Sequence, residues 1–268
     1  MNKRAVAFIA DCFPLIERLT NDRLIITLRR HLNALAEQDI LKKLIKYFAI
    51  DCVFDVGANT GQYATMLRKK VGYKGLIISF EPIPKCANQL RRLAASDPLW
   101  HVEQVALADK SDVATFNVMK DSQFSSLLVP DNGPTSDINN WNKVAESIQV
   151  TVVTISEIYE DLQKRFRFSR PFLKMDTQGS ELKVALGAGE KIKSFVALQS
   201  ELSIINIYKE SKNYIEAIKF YESQGFRLSA FVPNNPGHFP KLIETDCVMY
   251  NQSFYTKDIE AKVLADRI

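Results

Sequence analysis

From Cys52 onward the chain alternates short apolar, β-prone runs with helical segments, and that alternation drives a chain towards a parallel sheet covered by helices on both faces. The core strands fall at Cys52 to Val56, Gly75 to Phe80, Trp100 to Ala106, Phe172 to Asp176 and Ser194 to Glu201. Between the third and fourth of these, Ala114 to Met119 and Ile148 to Thr154 are further β-rich runs flanking a loop rich in Ser, Asp, Asn and Pro, and they are expected to pair antiparallel. Phe226 to Val232 and Thr245 to Tyr250 flank a loop whose prolines and glycine forbid helix or central strand, which predicts a closing hairpin. Ahead of the sheet, Leu24, Leu28, Leu32 and Leu35 recur at three or four, as do Leu41, Leu44, Ile45 and Phe48, so a helical extension is expected there. The organisation predicted is a helical extension over residues 1–50, a doubly wound, Rossmann-like α/β domain with a C-terminal antiparallel hairpin over 51–252, and a tail over 253–268.

Composition removes several function classes. A net charge of +4, from 35 basic and 31 acidic residues without long basic runs, implies no nucleic-acid partner. Cys12, Cys52, Cys86 and Cys247 lie far apart without the paired spacing of a zinc or redox site, so reduced, buried thiols are expected. The apolar run Ala5 to Ala10 behind Lys3-Arg4 ends at Asp11, and no stretch reaches the roughly 18 apolar residues of a membrane span. A cytoplasmic, soluble protein is the expectation.

The chemistry concentrates where the first strand gives way to a helix, at Asp55-Val56-Gly57-Ala58-Asn59-Thr60-Gly61. Two glycines allow a sharp turn and a close approach of backbone to ligand. A dinucleotide fingerprint needs a third glycine in the pattern Gly-x-Gly-x-x-Gly, and here positions 59 and 62 are Asn and Gln. An acid at Asp55 favours a cationic ligand and disfavours a pyrophosphate. The second strand ends in Glu81-Pro82, where a carboxylate accepts both hydroxyls of a ribose, and Val105-Ala106 at the end of the third strand offers apolar cover for a base. Either acid alone also fits a solvent-exposed strand end; together, with the Gly57/Gly61 bend between them, they indicate a nucleoside site.

These residues carry a resemblance. The chain resembles the FkbM-type class I methyltransferases that use S-adenosyl-L-methionine, through Phe54 to Gly61, Phe80-Glu81-Pro82, Ser125-Ser126-Leu127, Lys174 to Leu182, Gly225-Phe226 and Glu244-Thr245-Asp246. The resemblance spans about Val53 to Tyr250 and implies transfer of a methyl group from S-adenosyl-L-methionine to an oxygen of a sugar or other specialised metabolite, on a class I methyltransferase sheet. It assigns the cofactor to Asp55, Gly57, Ala58, Asn59, Gly61, Glu81, Pro82, Val105, Ala106 and Ser125, with Asp55 facing the cofactor's ammonium. Gln178 stands where many members have Glu, which leaves open a catalytically inactive, cofactor-binding scaffold.

A hydroxyl acceptor needs a general base. Asp176, at the end of the fourth core strand beside the topological switch point, is the first candidate; Glu181 lies one turn into the next helix, to cap it or to meet the acceptor, and His238 sits on the hairpin loop with a side chain that titrates near neutrality. Ser125-Ser126 reads equally as a lid over the cofactor or as an exposed turn, and Phe124, Trp141 and Tyr208 as packing aromatics or an acceptor wall. Glu244 and Asp246 alone do not specify a metal, so none is expected. The expected partner is a small-molecule or glycan acceptor, and the apolar stripe of the N-terminal helices suits either a cover over the site or pairing of two subunits.

Overall fold

A computed structural model of the chain describes residues 22–131, 143–233 and 240–256; His238, Trp141 and Cys12 lie outside them. Helix α1 (Asp22–Tyr47) opens the described chain. Its C-terminal half is no loose extension: Leu41 and Leu44, with Phe48 just beyond, are buried against Val53, Leu67 and Ile77 of the sheet domain. Ala49, at a left-handed φ of 48°, turns the chain out of the helix into strand β1 (Cys52–Val56).

Beyond β1 come α2 (Gln62–Met66), which runs on as a π-helical turn over Leu67–Val71, then β2 (Leu76–Phe80), α3 (Pro84–Ala94) and β3 (Trp100–Glu103). An inserted set follows: β4 (Ala106–Leu107), β5 (Asp112–Met119) and β6 (Val144–Val153). The chain returns through α4 (Ile155–Phe166) to β7 (Pro171–Met175), then α5 (Glu181–Gly187), β8 (Ala197–Ser203), α6 (Tyr214–Ser223), β9 (Phe226–Pro233) and β10 (Glu244–Asn251). The seven-stranded sheet has the order β3-β2-β1-β7-β8-β10-β9. Its first five strands are parallel, and β10 runs antiparallel to both neighbours. Because the chain winds outward from β1 to β3 and then restarts on the other side of β1 at β7, the switch point lies between β1 and β7.

Every residue of β1, β2, β7 and β8 is buried, which is why the first three read as short, largely apolar runs and not as alternating ones, while β8 buries Gln199, Ser200, Glu201 and Ser203 as well. Alternate residues serve opposite layers: Cys52, Phe54 and Val56 pack with Phe80, Tyr159 and Phe195, and Val53 packs with α1. The run from Trp100 to Ala106 divides in two. Glu103 pairs with Phe80, the last residue of β2, so the main sheet offers no partner further on; Ala106-Leu107 instead lies parallel to the end of β6 in a separate sheet of order β4-β6-β5. The last core strand starts later than the sequence suggests, because Gly189–Ser194 coils into a 3₁₀ turn closed by the Phe195 N–H donating to Ile192. The inserted pair and the closing hairpin are antiparallel, as expected. No helix among the described residues is long and apolar enough to cross a membrane.

Candidate active site

The loop after β1 passes so close to the end of β7 that a Cβ at Gly57 would fall 1.8 Å from the carbonyl oxygen of Asp176, and its φ of +75° is itself left-handed. Glycine is therefore required at 57 on two counts. The Gly57 and Ala58 N–H groups both donate to the Phe80 carbonyl at 3.1 Å, tying the loop to the end of β2. Glu81 completes the tie. Its two carboxylate oxygens accept from the Asn59 and Ile83 N–H groups, each at 2.8 Å, and keep their remaining lone pairs for a ligand. Burial pushes the Glu81 carboxyl up to about 7, against the lowering effect of those two backbone donors. Asn59 is itself held, its Oδ1 accepting from Ser122 Oγ at 3.0 Å and from Cys86 Sγ at 3.5 Å.

A cavity of about 530 Å³ opens over these strand ends, a volume suited to a nucleoside-sized ligand with room for a second molecule. Gly57, Ala58, Asn59, Glu81, Pro82, Val105, Ala106, Ser125 and Asp176 all line it. Gly61 does not. Its place at a φ of +91° is set by packing, since a Cβ there would come within 3.0 Å of Leu90 and Leu93.

Asp55 also stands elsewhere than expected. It is wholly buried and off the cavity wall, opposite Lys174 in the β1–β7 register. Lys174 Nζ forms an ion pair with Asp55 Oδ1 at 3.3 Å, and Ser79 Oγ donates to Oδ2 at 3.2 Å while receiving Trp100 Nε1 at 3.0 Å. The acid that was to face a cationic ligand is thus neutralised from behind by a lysine. Burial raises the Asp55 carboxyl, and Lys174 and Ser79 oppose that rise. Lys174 does line the cavity, with Nζ 3.5 Å from Asp176 Oδ2, 3.4 Å from the Gly57 carbonyl and 5.1 Å from the centre of the Tyr63 ring. Its burial favours the neutral amine, but Asp176 and Asp55 outweigh this and hold the ammonium above its ordinary range.

Asp176 follows directly on β7, its side chain 44% exposed beside Lys174. Gln178 donates from Nε2 both to Asp176 at 3.1 Å and to Glu201 at 2.7 Å. An amide performs this double donation and a carboxylate could not, which gives the departure from Glu at 178 a physical reason. Glu181 lies off the cavity wall: it is buried and accepts from the N–H groups of Thr177 and Gly179 and from the Thr177 hydroxyl, so it ties the loop beyond Asp176 and does not reach an acceptor. Burial raises the Glu181 carboxyl to about 7.

The turn bearing Ser125 and Ser126 is packed and closes one side of the cavity. Ser125 Oγ accepts from the Met119 N–H, Ser126 Oγ donates to the Gln178 carbonyl at 2.8 Å, and the Tyr208 hydroxyl bonds the Phe124 carbonyl at 2.8 Å. His101 packs against Phe166 in a tilted ring contact and is not on the cavity wall. The opposite wall comes from α1, through Arg30, Asn33, Ala34 and Glu37. Gln199 joins that helix to the sheet, accepting from the Tyr63 hydroxyl at 2.8 Å and donating to Glu37 at 2.9 Å and Asp246 at 2.8 Å. Spacings of three and four along α1 place Arg30, Asn33 and Glu37 on one face, a signal available in the sequence that the leucine stripe overshadows. Among the described residues no group of three or more His, Cys, Asp or Glu side chains is arranged to hold a metal ion.

The sheet winds outward from β1 on both sides and carries an antiparallel strand, β10, beside its edge strand β9. The chain belongs to the FkbM methyltransferase family: the model of the methyltransferase FkbM domain matches residues 55–228. Its cofactor is S-adenosyl-L-methionine, and the residues fit that group, with a backbone-anchored carboxylate at Glu81, a glycine turn at its side and apolar cover from Val105 and Ala106. Among solved structures, fibrillarin of Aeropyrum pernix with natively bound S-adenosyl-L-methionine is 12% identical over 81% of this chain and 76% of that one, with a TM-score of 0.42. Magnesium protoporphyrin IX methyltransferase of Synechocystis with bound cofactor is 7% identical over 84% and 83%, with a TM-score of 0.43. No curated protein matches the chain by sequence.

Proposed function

We propose that the protein methylates a hydroxyl oxygen of a sugar or other small specialised metabolite. When bound, S-adenosyl-L-methionine supplies a methyl group on a sulfonium centre, open to in-line displacement. Glu81 would accept from the ribose hydroxyls, Val105 and Ala106 would cover the adenine, and the Gly57 to Asn59 loop, on the same cavity wall, would complete the cofactor's pocket. Asp176 receives the proton of the attacking hydroxyl. Lys174 and Gln178 hold that carboxylate by one oxygen each, so its position is fixed before an acceptor arrives. Holding two reactants in place in this way contributes roughly 7 to 11 kcal/mol towards the barrier, and proton removal by a positioned base adds about 10²- to 10⁴-fold in rate.

The observation that carries this reading is the position of Asp176. It is a partly exposed carboxylate on the cavity wall at the β1–β7 switch point, braced from two sides. Gln178 braces the base, so its departure from Glu supports catalysis and not its loss. Calorimetry with S-adenosyl-L-methionine and with S-adenosylhomocysteine, followed by transfer of labelled methyl to a panel of hydroxylated acceptors, tests the proposal. Binding of both and a base-stable methyl ether product are expected. Folded protein that takes up neither ligand refutes it, and a labelled product that is an amine or a thioether moves the reaction off oxygen.

A further inference from the structure

The registers of the large sheet set six cavity residues in one row. Gly57 and Glu81 follow directly on the Val56–Phe80 pair of β1 and β2, and Gly57 and Asp176 on the Val56–Met175 pair of β1 and β7. Asp176 and Glu201 continue the Met175–Ser200 pair of β7 and β8. Asp246 of β10 then pairs with Glu201 on one side and with Val232 of β9 on the other. All six line the same cavity, which therefore crosses the strand ends from β2 to β9. The cofactor, placed as proposed, takes the part between Ala106 and the Gly57 turn. The stretch from Asp176 to Val232 is left for the acceptor, and its three strand spacings amount to roughly 14 Å, more than the width of a single sugar ring.

Helix α1 walls that stretch to its far end. Glu37 accepts from Gln199 of β8, and one turn earlier Asn33 Nδ2 donates to the Pro233 carbonyl at the end of β9, at 3.1 Å. Arg30 lies on the same helix face, one turn further out. The far end differs in chemistry from the end at Asp176. Val232 and Pro233 give it an apolar side and Ala34 adds only a methyl group, while Arg30 stands exposed on the wall with no hydrogen bond or ion pair among the described residues. Its guanidinium therefore has donors for a ligand. An apolar surface with a few placed polar groups suits a sugar ring, whose C–H face packs while its hydroxyls bond. Arg30, Ala34 and Val232 all stand outside residues 55–228, so this end is built from parts of the chain beyond the span matched by the family model.

We infer that the acceptor is a glycan of two or more sugar units, with the methylated unit at Asp176 and a second unit held at the far end between Arg30, Ala34 and Val232. The inference rests on the methyltransferase reading and names the class of its second substrate. The test uses the full chain with labelled S-adenosyl-L-methionine and compares glucose, galactose, mannose and rhamnose with their di- and trisaccharides, reading kcat/KM for each. For a sugar that is methylated, the disaccharide is expected to exceed its own monosaccharide by about ten-fold or more, because contacts remote from the reacting hydroxyl also lower the barrier. Ala34→Phe, which fills the far end, and Arg30→Ala, which removes its donors, are each expected to bring that ratio down towards one. S-adenosylhomocysteine affinity, measured by calorimetry, should stay at the parent value in both and so report an intact fold. Equal kcat/KM for mono- and disaccharide, or an advantage that survives both variants, overturns the inference. So does a lack of product from every sugar in the series, and if other hydroxylated acceptors are then methylated the methyltransferase reading stands. Failure of S-adenosylhomocysteine to bind the parent protein removes instead the reading on which the inference rests.

Discussion

Lys174 changes what Asp55 can do. A strand-end acid beside a glycine turn suggests a ligand contact, but β1 and β7 bring Asp55 and Lys174 side by side, and both are buried. Removing one partner of such a pair leaves an uncompensated charge, which costs about 3 to 5 kcal/mol. Lys174→Met should show that loss in urea unfolding, and Asp55→Asn added to it should recover most of it, since the double variant has no orphaned charge at that place. Equal destabilisation of single and double variants would show that the pairing contributes nothing. Asp176→Asn separates chemistry from binding: about 100-fold or more should be lost in turnover, with S-adenosylhomocysteine affinity within about three-fold of the parent protein, and unchanged turnover would send the base role elsewhere. At this scale Glu81 and Gly57 were legible because their neighbours in sequence define their surroundings, a strand end and a tight turn. Lys174, Gln199 and Glu37 were not, because each acquires its role from a residue far away in the chain, and no local pattern records which strand will lie alongside.

Elements were more legible than the contacts between them. A strand buried on both faces is largely apolar, so β1, β2 and β7 announced themselves, and the period of α1 was equally open. Where the third core strand stops was hidden, since Trp100 to Ala106 is continuously strand-like and only the length of β2 decides that pairing ends at Glu103. The docking of α1 was hidden too, because an apolar stripe does not state what it covers. Leu41 is fully buried there, so Leu41→Ala should cost about 2 to 5 kcal/mol in a single cooperative unfolding transition, as for a helix that belongs to the domain core. A variant with unaltered stability, or a separate early transition, would mark α1 as an appendage. The β1–β7 junction gives a sharper case. At Gly57 an added methyl meets backbone and not a movable side chain, so Gly57→Ala should abolish S-adenosylhomocysteine binding and lower the melting temperature together. Retained binding would show that the two strand ends can move apart.

Taken as one body, the molecule gathers its buried acids along the C-terminal edge of the parallel strands. Asp55, Glu81, Glu181, Glu201 and Glu244 are each no more than 9% exposed. Burial raises Glu81 and Glu181 to about 7 and lifts Glu201 well above the ordinary carboxylate range, with Glu244 and Asp176 adding to the last. The sign of the resulting pH dependence follows from proton counting. Between the ordinary value of 4.5 and about 7 the folded, ligand-free protein holds protons on Glu81 and Glu181 that the unfolded chain has released. Stability of the ligand-free protein therefore falls as pH rises through that window. On the proposed reading cofactor binding runs the other way, because ribose hydroxyls donating to an ionised Glu81 would draw its titration downward. Affinity for S-adenosylhomocysteine should accordingly rise with pH up to about 7 and level off above it, with a proton released on binding near the midpoint. Calorimetry in buffers of different ionisation enthalpy measures that proton directly, and Glu81→Gln should abolish its release while weakening the complex. If wild-type affinity is flat from about pH 6 to about pH 8 and no proton is released, then Glu81 is not the group that takes the ribose. The carboxylate edge would then owe its raised acids to packing alone.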